Sequence, residues 1–122
     1  MSKKTKYKEK YKRHSLCKDN ISFLNYLNSI SNSKKSKVIK TIATKNEVNA
    51  IIEVFLNFLN NNLNCKKKFI KSMKKNHNYF DKIMNKSQSL TNKKKLLVSP
   101  KGGFILSRIL ALAIPVLTKL FL

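Results

Sequence analysis

Acidic side chains are what this chain has least of: five Asp and Glu stand against 27 Lys and Arg in 122 residues, a formal charge of +22. The five, Glu9, Asp19, Glu47, Glu53 and Asp81, are scattered, and Glu47 falls in a helix-capping pattern. Acid-base catalysis by paired carboxylates needs two such groups within reach of one substrate, so the sequence reads as non-enzymatic and no catalytic residue is assigned. Cysteine is nearly as scarce. Cys17 and Cys65, with a start (Met1-Ser2-Lys3-Lys4-Thr5-Lys6) that lacks the apolar stretch of a secretory signal, point to a reduced, intracellular setting. His14, Cys17, Cys65 and His77 are four zinc-ligand types, but their wide, irregular gaps match no common finger, and neither metal nor other cofactor is expected. No segment alternates apolar and polar residues as a strand does, and no internal repeat stands out, so the expected class is all-α.

What the chain has in excess is positive charge, and self-repulsion on that scale opposes compaction unless an anionic partner neutralises it. An A/T-rich genome favours both Lys and Asn, as in Asn60-Asn61-Asn62, and accounts for Lys over Arg, but not for the missing acids. Residues 1–18 carry Lys3, Lys4, Lys6, Lys8, Lys10, Lys12, Arg13 and Lys18 against Glu9 alone and are read as a disordered basic arm that orders on a polyanion. Such an arm also suits nuclear import.

Residues 19–86 read as a small helical bundle. From Asp19 as N-cap, Ile21, Phe23, Leu24, Leu27 and Ile30 recur at helical spacing up to the break at Ser31-Asn32-Ser33, and a short helix carries Val38, Ile39 and Ile42. Thr44-Lys45-Asn46-Glu47 is a capping box, followed by a stripe of Val48, Ile51, Ile52, Phe55, Leu56, Leu59 and Leu63 that makes this helix the expected core. Phe69, Ile70, Met73, His77, Phe80, Ile83 and Met84 continue the spacing, with lysines between them. Residues 87–103 read as a Lys-rich linker, in which Pro100 disfavours helix at Ser99 and the pair Gly102-Gly103 interrupts the chain. Residues 104–122 form a separate hydrophobic helix with an expected kink at Pro115, for four or five helices in all.

From Asn64 to Lys101 twelve lysines face Asp81 alone. Lysines without a reading geometry neutralise phosphates by counterion release and carry little sequence preference. The candidate nucleic-acid contacts are therefore Lys66, Lys67, Lys68, Lys71, Lys74, Lys75, Lys93, Lys94, Lys95 and Lys101 together with the arm residues Lys3 to Arg13. Tyr7 and Tyr11 could stack on bases but are too few to choose single strands over duplex. In the tail, Phe104, Ile105, Leu106, Ile109, Leu110, Ile114, Leu117, Leu120 and Phe121 spread over nearly all sides of a helix, so docking on the bundle is expected to leave apolar surface wet. Self-association, a capsid groove or a bilayer would cover it. Arg108, Lys119 and Pro115 argue against a plain membrane anchor, whereas the lysines favour an anionic membrane surface.

The junction of basic segment, Gly102-Gly103, Phe104-Ile105-Leu106 and an Ile-Pro-containing apolar stretch resembles the adenovirus core protein X (mu precursor) family. More broadly the chain is similar to small virion proteins of Maverick/Polinton and adintovirus-type elements, through Leu96-Leu97-Val98-Ser99-Pro100-Lys101-Gly102-Gly103-Phe104 and the stretch Ala43 to Ile51. The resemblance implies a virion core protein in the host nucleus that binds and condenses double-stranded DNA, with cleavage by an adenovirus-type cysteine protease at Gly102, Gly103 and Phe104, and a tail that meets capsid protein. Pro100 stands where that protease prefers Met, Leu or Ile. The alternative reading is a membrane-active virion protein that acts through its terminal helix.

Overall fold

A computed structural model describes residues 15–121, and among them the regular secondary structure is all helix, with no strand. Eight helices follow one another there: α1 Ser15–Asp19, α2 Ile21–Ser29, α3 Asn32–Thr41, α4 Lys45–Leu59, α5 Lys67–Lys74, α6 His77–Ile83, α7 Leu90–Val98 and α8 Pro100–Phe121. The all-α class and the long apolar terminal helix are as the sequence predicts. The helices are more numerous and shorter than expected, because polar breaks such as Lys75-Asn76 divide stretches that keep one apolar spacing.

The start of α4 is set by local chemistry. The Thr44 hydroxyl accepts the Glu47 amide at 3.1 Å while the Glu47 carboxylate accepts the Thr44 amide at 2.8 Å, so two amides that helix geometry leaves without partners are satisfied. The expected stripe is buried, but so are Ala50, Glu53, Val54, Asn57 and Phe58 on the other sides. Helix α4 is thus surrounded, with α1, α2, α5, α7 and α8 packed around it. Its end explains the asparagines. Asn61 takes a left-handed φ of 58°, its amide bonds the Phe58 carbonyl at 3.0 Å, and the Asn62 amide bonds the Asn57 carbonyl at 2.9 Å. This is a Schellman cap with asparagine in the place usually held by glycine. The Asn62 side chain also donates to the Asn57 side-chain oxygen at 3.0 Å.

Three expected boundaries move. Ser15 to Lys18, expected within the basic arm, belong to helix α1, because Leu16 and Cys17 pack inward and the buried Glu53 carboxylate accepts the Cys17 amide at 2.9 Å. Asp19 is the last residue of α1 rather than the cap of α2; Asn20 holds that position, without a side-chain cap bond. The segment 87–103 is not an open linker: Ser89 caps α7 by accepting the Asn92 amide at 3.1 Å, and Leu97 is buried.

The glycine pair does not interrupt the chain either. Ser99 is extended, as a residue before proline prefers, and Pro100 opens α8, where its missing N–H costs nothing. The Ser99 hydroxyl accepts the Gly102 amide at 3.0 Å, so Ser-Pro-Lys-Gly starts a helix. Gly102 is buried where α8 crosses the end of α7, and any Cβ there would collide with the Leu96 carbonyl and lie 2.8 Å from the Tyr79 hydroxyl. Around Gly103 nothing lies within 4 Å of such a Cβ.

Helix α8 continues through Pro115 to Phe121 and docks against α2, α4 and α7. Ile105, Leu106, Ile109, Leu110, Ala113, Ile114 and Leu117 are buried, so most of the expected wet apolar surface is this domain's own core. Thr118 bonds Asn25 at 3.2 Å and Ser107 bonds Asn32 at 2.7 Å, fixing its register on α2 and α3. Pro115 and Ala111, whose carbonyl loses its partner to the ring, lie on the exposed side where water can replace the bond.

The two glycines should therefore respond oppositely to alanine. Gly102→Ala should lower the urea-unfolding free energy by about 1–3 kcal/mol or more through overpacking against backbone, whereas Gly103→Ala should raise it by up to ~1 kcal/mol through helix propensity. Equal effects at both positions would contradict the crossing described. Removal of residues 104–122 should abolish the cooperative thermal transition seen by circular dichroism, because side chains worth roughly 1.5–3 kcal/mol each leave a domain stabilised by only about 5–15 kcal/mol.

Candidate nucleic-acid interface

The arm residues Lys3, Lys4, Lys6, Lys8, Lys10, Lys12 and Arg13, with Tyr7, Tyr11 and His14, lie outside the described residues. The remaining candidates fall in two regions. On α5 and its flanks Lys66, Lys67, Lys68, Lys71, Lys74 and Lys75 are all exposed, and Lys82 on α6 and Lys86 after it extend the same charge. The apolar positions of these helices, Ile70, Met73, Tyr79, Phe80 and Ile83, turn inward. Phe80 meets Phe55 edge-on at 5.7 Å and Tyr79 at 5.5 Å. This division of faces pushes the lysines outward, and Lys68 lies over the Phe69 ring at 5.3 Å.

The second region is assembled by packing. Helix α7, with Lys93, Lys94 and Lys95, lies against α3, whose Lys34, Lys37 and Lys40 are exposed. Sequence reasoning assigned no role to these three α3 lysines. Their only local signal is the cluster Ser33-Lys34-Lys35-Ser36-Lys37, and the segment that joins them to α7 is more than fifty residues away. Two lysines are not available to a ligand in the same way. Lys93 donates to the Asn49 side-chain oxygen at 3.0 Å, and Lys35, 7% exposed, donates to the Ile30 carbonyl at 2.7 Å, where it serves the end of α2. Lys101, in the first turn of α8, is exposed.

Of the described acids, Glu53 is buried against Cys17, Glu47 is engaged in the capping box, Asp19 is exposed and Asp81 is half-buried. The structure does not gather the candidate metal ligands: Cys17 is buried under α4, Cys65 lies in the loop before α5, and His77, expected on the apolar face, is exposed at the start of α6. No group of three His, Cys, Asp or Glu close enough to hold a metal ion occurs among the described residues.

Of the tail residues assigned to a membrane or capsid, Ile105, Leu106, Ile109, Leu110, Ile114 and Leu117 are core, Phe121 is half-buried, and Phe104 and Leu120 are each 58% exposed. Arg108 lies over the Phe104 ring at 5.6 Å. Helix α8 is long and apolar enough to cross a membrane. Gly102 and Gly103, the expected protease site, sit in helical conformation at its start, Gly102 buried, whereas Phe104 stands out from the surface. No known protein family, no curated protein and no solved structure matches this chain.

Buried titratable groups set the pH response of the fold beneath this surface. Burial, and then the Glu53 carboxylate, pushes the Cys17 thiol above its ordinary 9.0, so it is a packing group and not a ready nucleophile. Burial pushes the Tyr79 phenol above 10.0; its hydroxyl donates to the Leu96 carbonyl at 3.1 Å. Above these ordinary values the unfolded chain releases protons that the folded chain keeps, so stability falls as pH rises. Lys35, by burial, and Lys93, by burial and then by Lys45, are held below 10.5 and act with the opposite sign. With Cys17 and Tyr79 deeply buried and the Cys65 thiol also raised from 9.0 by burial, the melting midpoint should fall from pH 9 upward. In a Cys65→Ser background, Cys17→Ser, which does not titrate, should delay that onset by about one pH unit, toward the ordinary tyrosine value of 10.0; an unchanged onset would contradict the assignment.

Proposed function

We propose that this is a structural nucleic-acid-binding protein that coats and condenses double-stranded DNA by neutralising phosphates without reading sequence. The observation that carries the reading is the outward placement of Lys66, Lys67, Lys68, Lys71, Lys74 and Lys75 on and beside one short helix, in a stretch from Asn64 to Lys101 whose one acid is Asp81. Lysine ammoniums are compact charges on flexible stems that suit phosphate oxygens rather than base edges. The α3 and α7 lysines supply a second contact region, so one copy can touch two stretches of polyanion, as condensation requires. The basic arm adds further charge.

The likeness of the Gly102-Gly103 junction and the Ile-Pro-containing stretch after it to the core protein X family, and of Leu96 to Phe104 to small virion proteins of Maverick/Polinton and adintovirus-type elements, supports a place in a virion core, assembled in a host nucleus. On this reading a cysteine protease meets Gly102-Gly103 as an extended substrate only when the first turn of α8 is unwound. A capsid protein, an anionic membrane or a second copy would contact the outward strip of α8 rather than the whole tail: Phe104, Val116 and Leu120 remain exposed beside Arg108 and Lys119. The membrane-active alternative draws on the same strip. Full insertion of α8 would remove seven side chains from the core, so interfacial contact suits the fold better than disruption.

Titration of labelled duplexes by fluorescence anisotropy tests the central claim. Affinity should be the same for unrelated sequences and should fall by roughly a thousandfold or more between 50 and 200 mM salt, as for six or more neutralised phosphates. Affinity that holds constant across that range would sink the counterion-release mechanism.

A further inference from the structure

The basic surface is concave beside α5. Between the end of α4 and the exposed side of α5 lies a cleft of about 280 Å³ lined by Leu59, Asn61, Lys67, Ile70, Lys71 and Lys74. Lys67, Lys71 and Lys74 follow the spacing that puts side chains on one side of a helix, and Lys67 is the first residue of α5. The positive end of the helix dipole and the Lys67 and Lys71 ammoniums therefore share one rim, and the residue before them, Lys66, offers α5 no side-chain cap. The opposite wall is Asn61, held at φ 58° by the Schellman cap of α4.

On that wall the Asn61 side-chain oxygen is enclosed and has no hydrogen-bond partner; its neighbour Asn60, outside the cleft lining and 7% exposed, has neither side-chain nitrogen nor oxygen partnered. Enclosed polar atoms without partners cost about 1–3 kcal/mol each. A rotation of Asn61 that brings its amide to a group in the cleft would relieve part of that cost. A side-chain amide can turn over without changing shape, so Asn61 can present either its oxygen or its NH2 to such a group.

We propose that this cleft seats a single phosphate group of the nucleic-acid backbone, held by Lys67 and Lys71 from α5 and closed by the Asn61 amide. The inference rests on the nucleic-acid reading above and adds to it a fixed point: one phosphate is bound in a defined place while its neighbours are held only by diffuse charge. The volume is at or below the lower end for small-molecule pockets, which suits a phosphate and excludes a large cofactor. A seat of this kind sets how the duplex lies on the domain without conferring sequence preference.

The test uses the full chain and inorganic phosphate, followed by amide chemical shifts. Saturable shifts should appear at Asn61, Lys67 and Lys71. Asn61→Gly, which keeps the charge and suits the left-handed φ, should weaken them roughly tenfold or more, the worth of a hydrogen bond to a charged group. Lys67→Gln with Lys71→Gln should abolish them. On duplex DNA that pair should lose clearly more affinity than the charge-matched pair Lys34→Gln with Lys37→Gln. Equal losses from the two pairs, or phosphate shifts spread linearly over all lysines, would overturn the seat and leave the counterion-release reading standing. Absence of DNA binding by the unaltered chain would overturn that reading instead.

Discussion

Enclosure of α4 is the constraint on which the rest of this small domain depends. A 15-residue helix with Ala50 through Asn60 buried on every side needs a continuous apolar lining, and in a chain this short no single neighbour can provide it. Helices α1, α2, α5 and α7 cover part of it, and α8 closes the remainder. Because the lining takes up nearly all the apolar side chains, little is left for other purposes. Most of the lysines are displaced to outer faces, most densely on α3, α5 and α7. Even the polar atoms inside follow from this geometry: Glu53 is tolerated because it accepts the Cys17 amide, and Asn57 because it donates to the Glu53 carbonyl at 3.0 Å and accepts from Asn62.

Much of this was legible from residue patterns and some was not, for identifiable reasons. The capping box at Thr44 to Glu47 is a local device, so the start of α4 could be read with confidence from four residues. Its total burial could not, because periodicity shows the most apolar face and is silent on whether Ala50, Val54 and Phe58 also find neighbours. The asparagine cluster looked compositional, yet Asn61 is positioned by its tolerance of a left-handed backbone, a property that only a chain direction seen in three dimensions brings out. Gly102-Gly103 misled for the opposite reason. Two glycines after a proline match an interruption, but Pro100 at the first helical position and Ser99 as cap make the same residues a helix start, with Gly102 required by a backbone crossing that involves Leu96 and Tyr79.

The candidate interface divides along the same line. Lysines clustered within α5 were visible because proximity in sequence there is proximity in space. The α3 and α7 lysines were only half visible, since the neighbourhood of Lys34, Lys37 and Lys40 with Lys94 and Lys95 arises from packing between distant segments. Lys35 and Lys93 carry the converse lesson: residues of the charge-bearing type were absorbed into the fold, one at the end of α2 and one on Asn49. The cleft beside Asn61 had no signature at all, because it joins the end of one helix to the side of the next.

A uniformly positive shell around one apolar centre also bears on how long a copy persists. Charges of one sign on a closed surface favour the open chain, and a polyanion that screens them favours the closed one, so occupancy and folding are thermodynamically linked. On the proposed reading, a copy without polyanion would open more often than a bound one and be cut first by proteases.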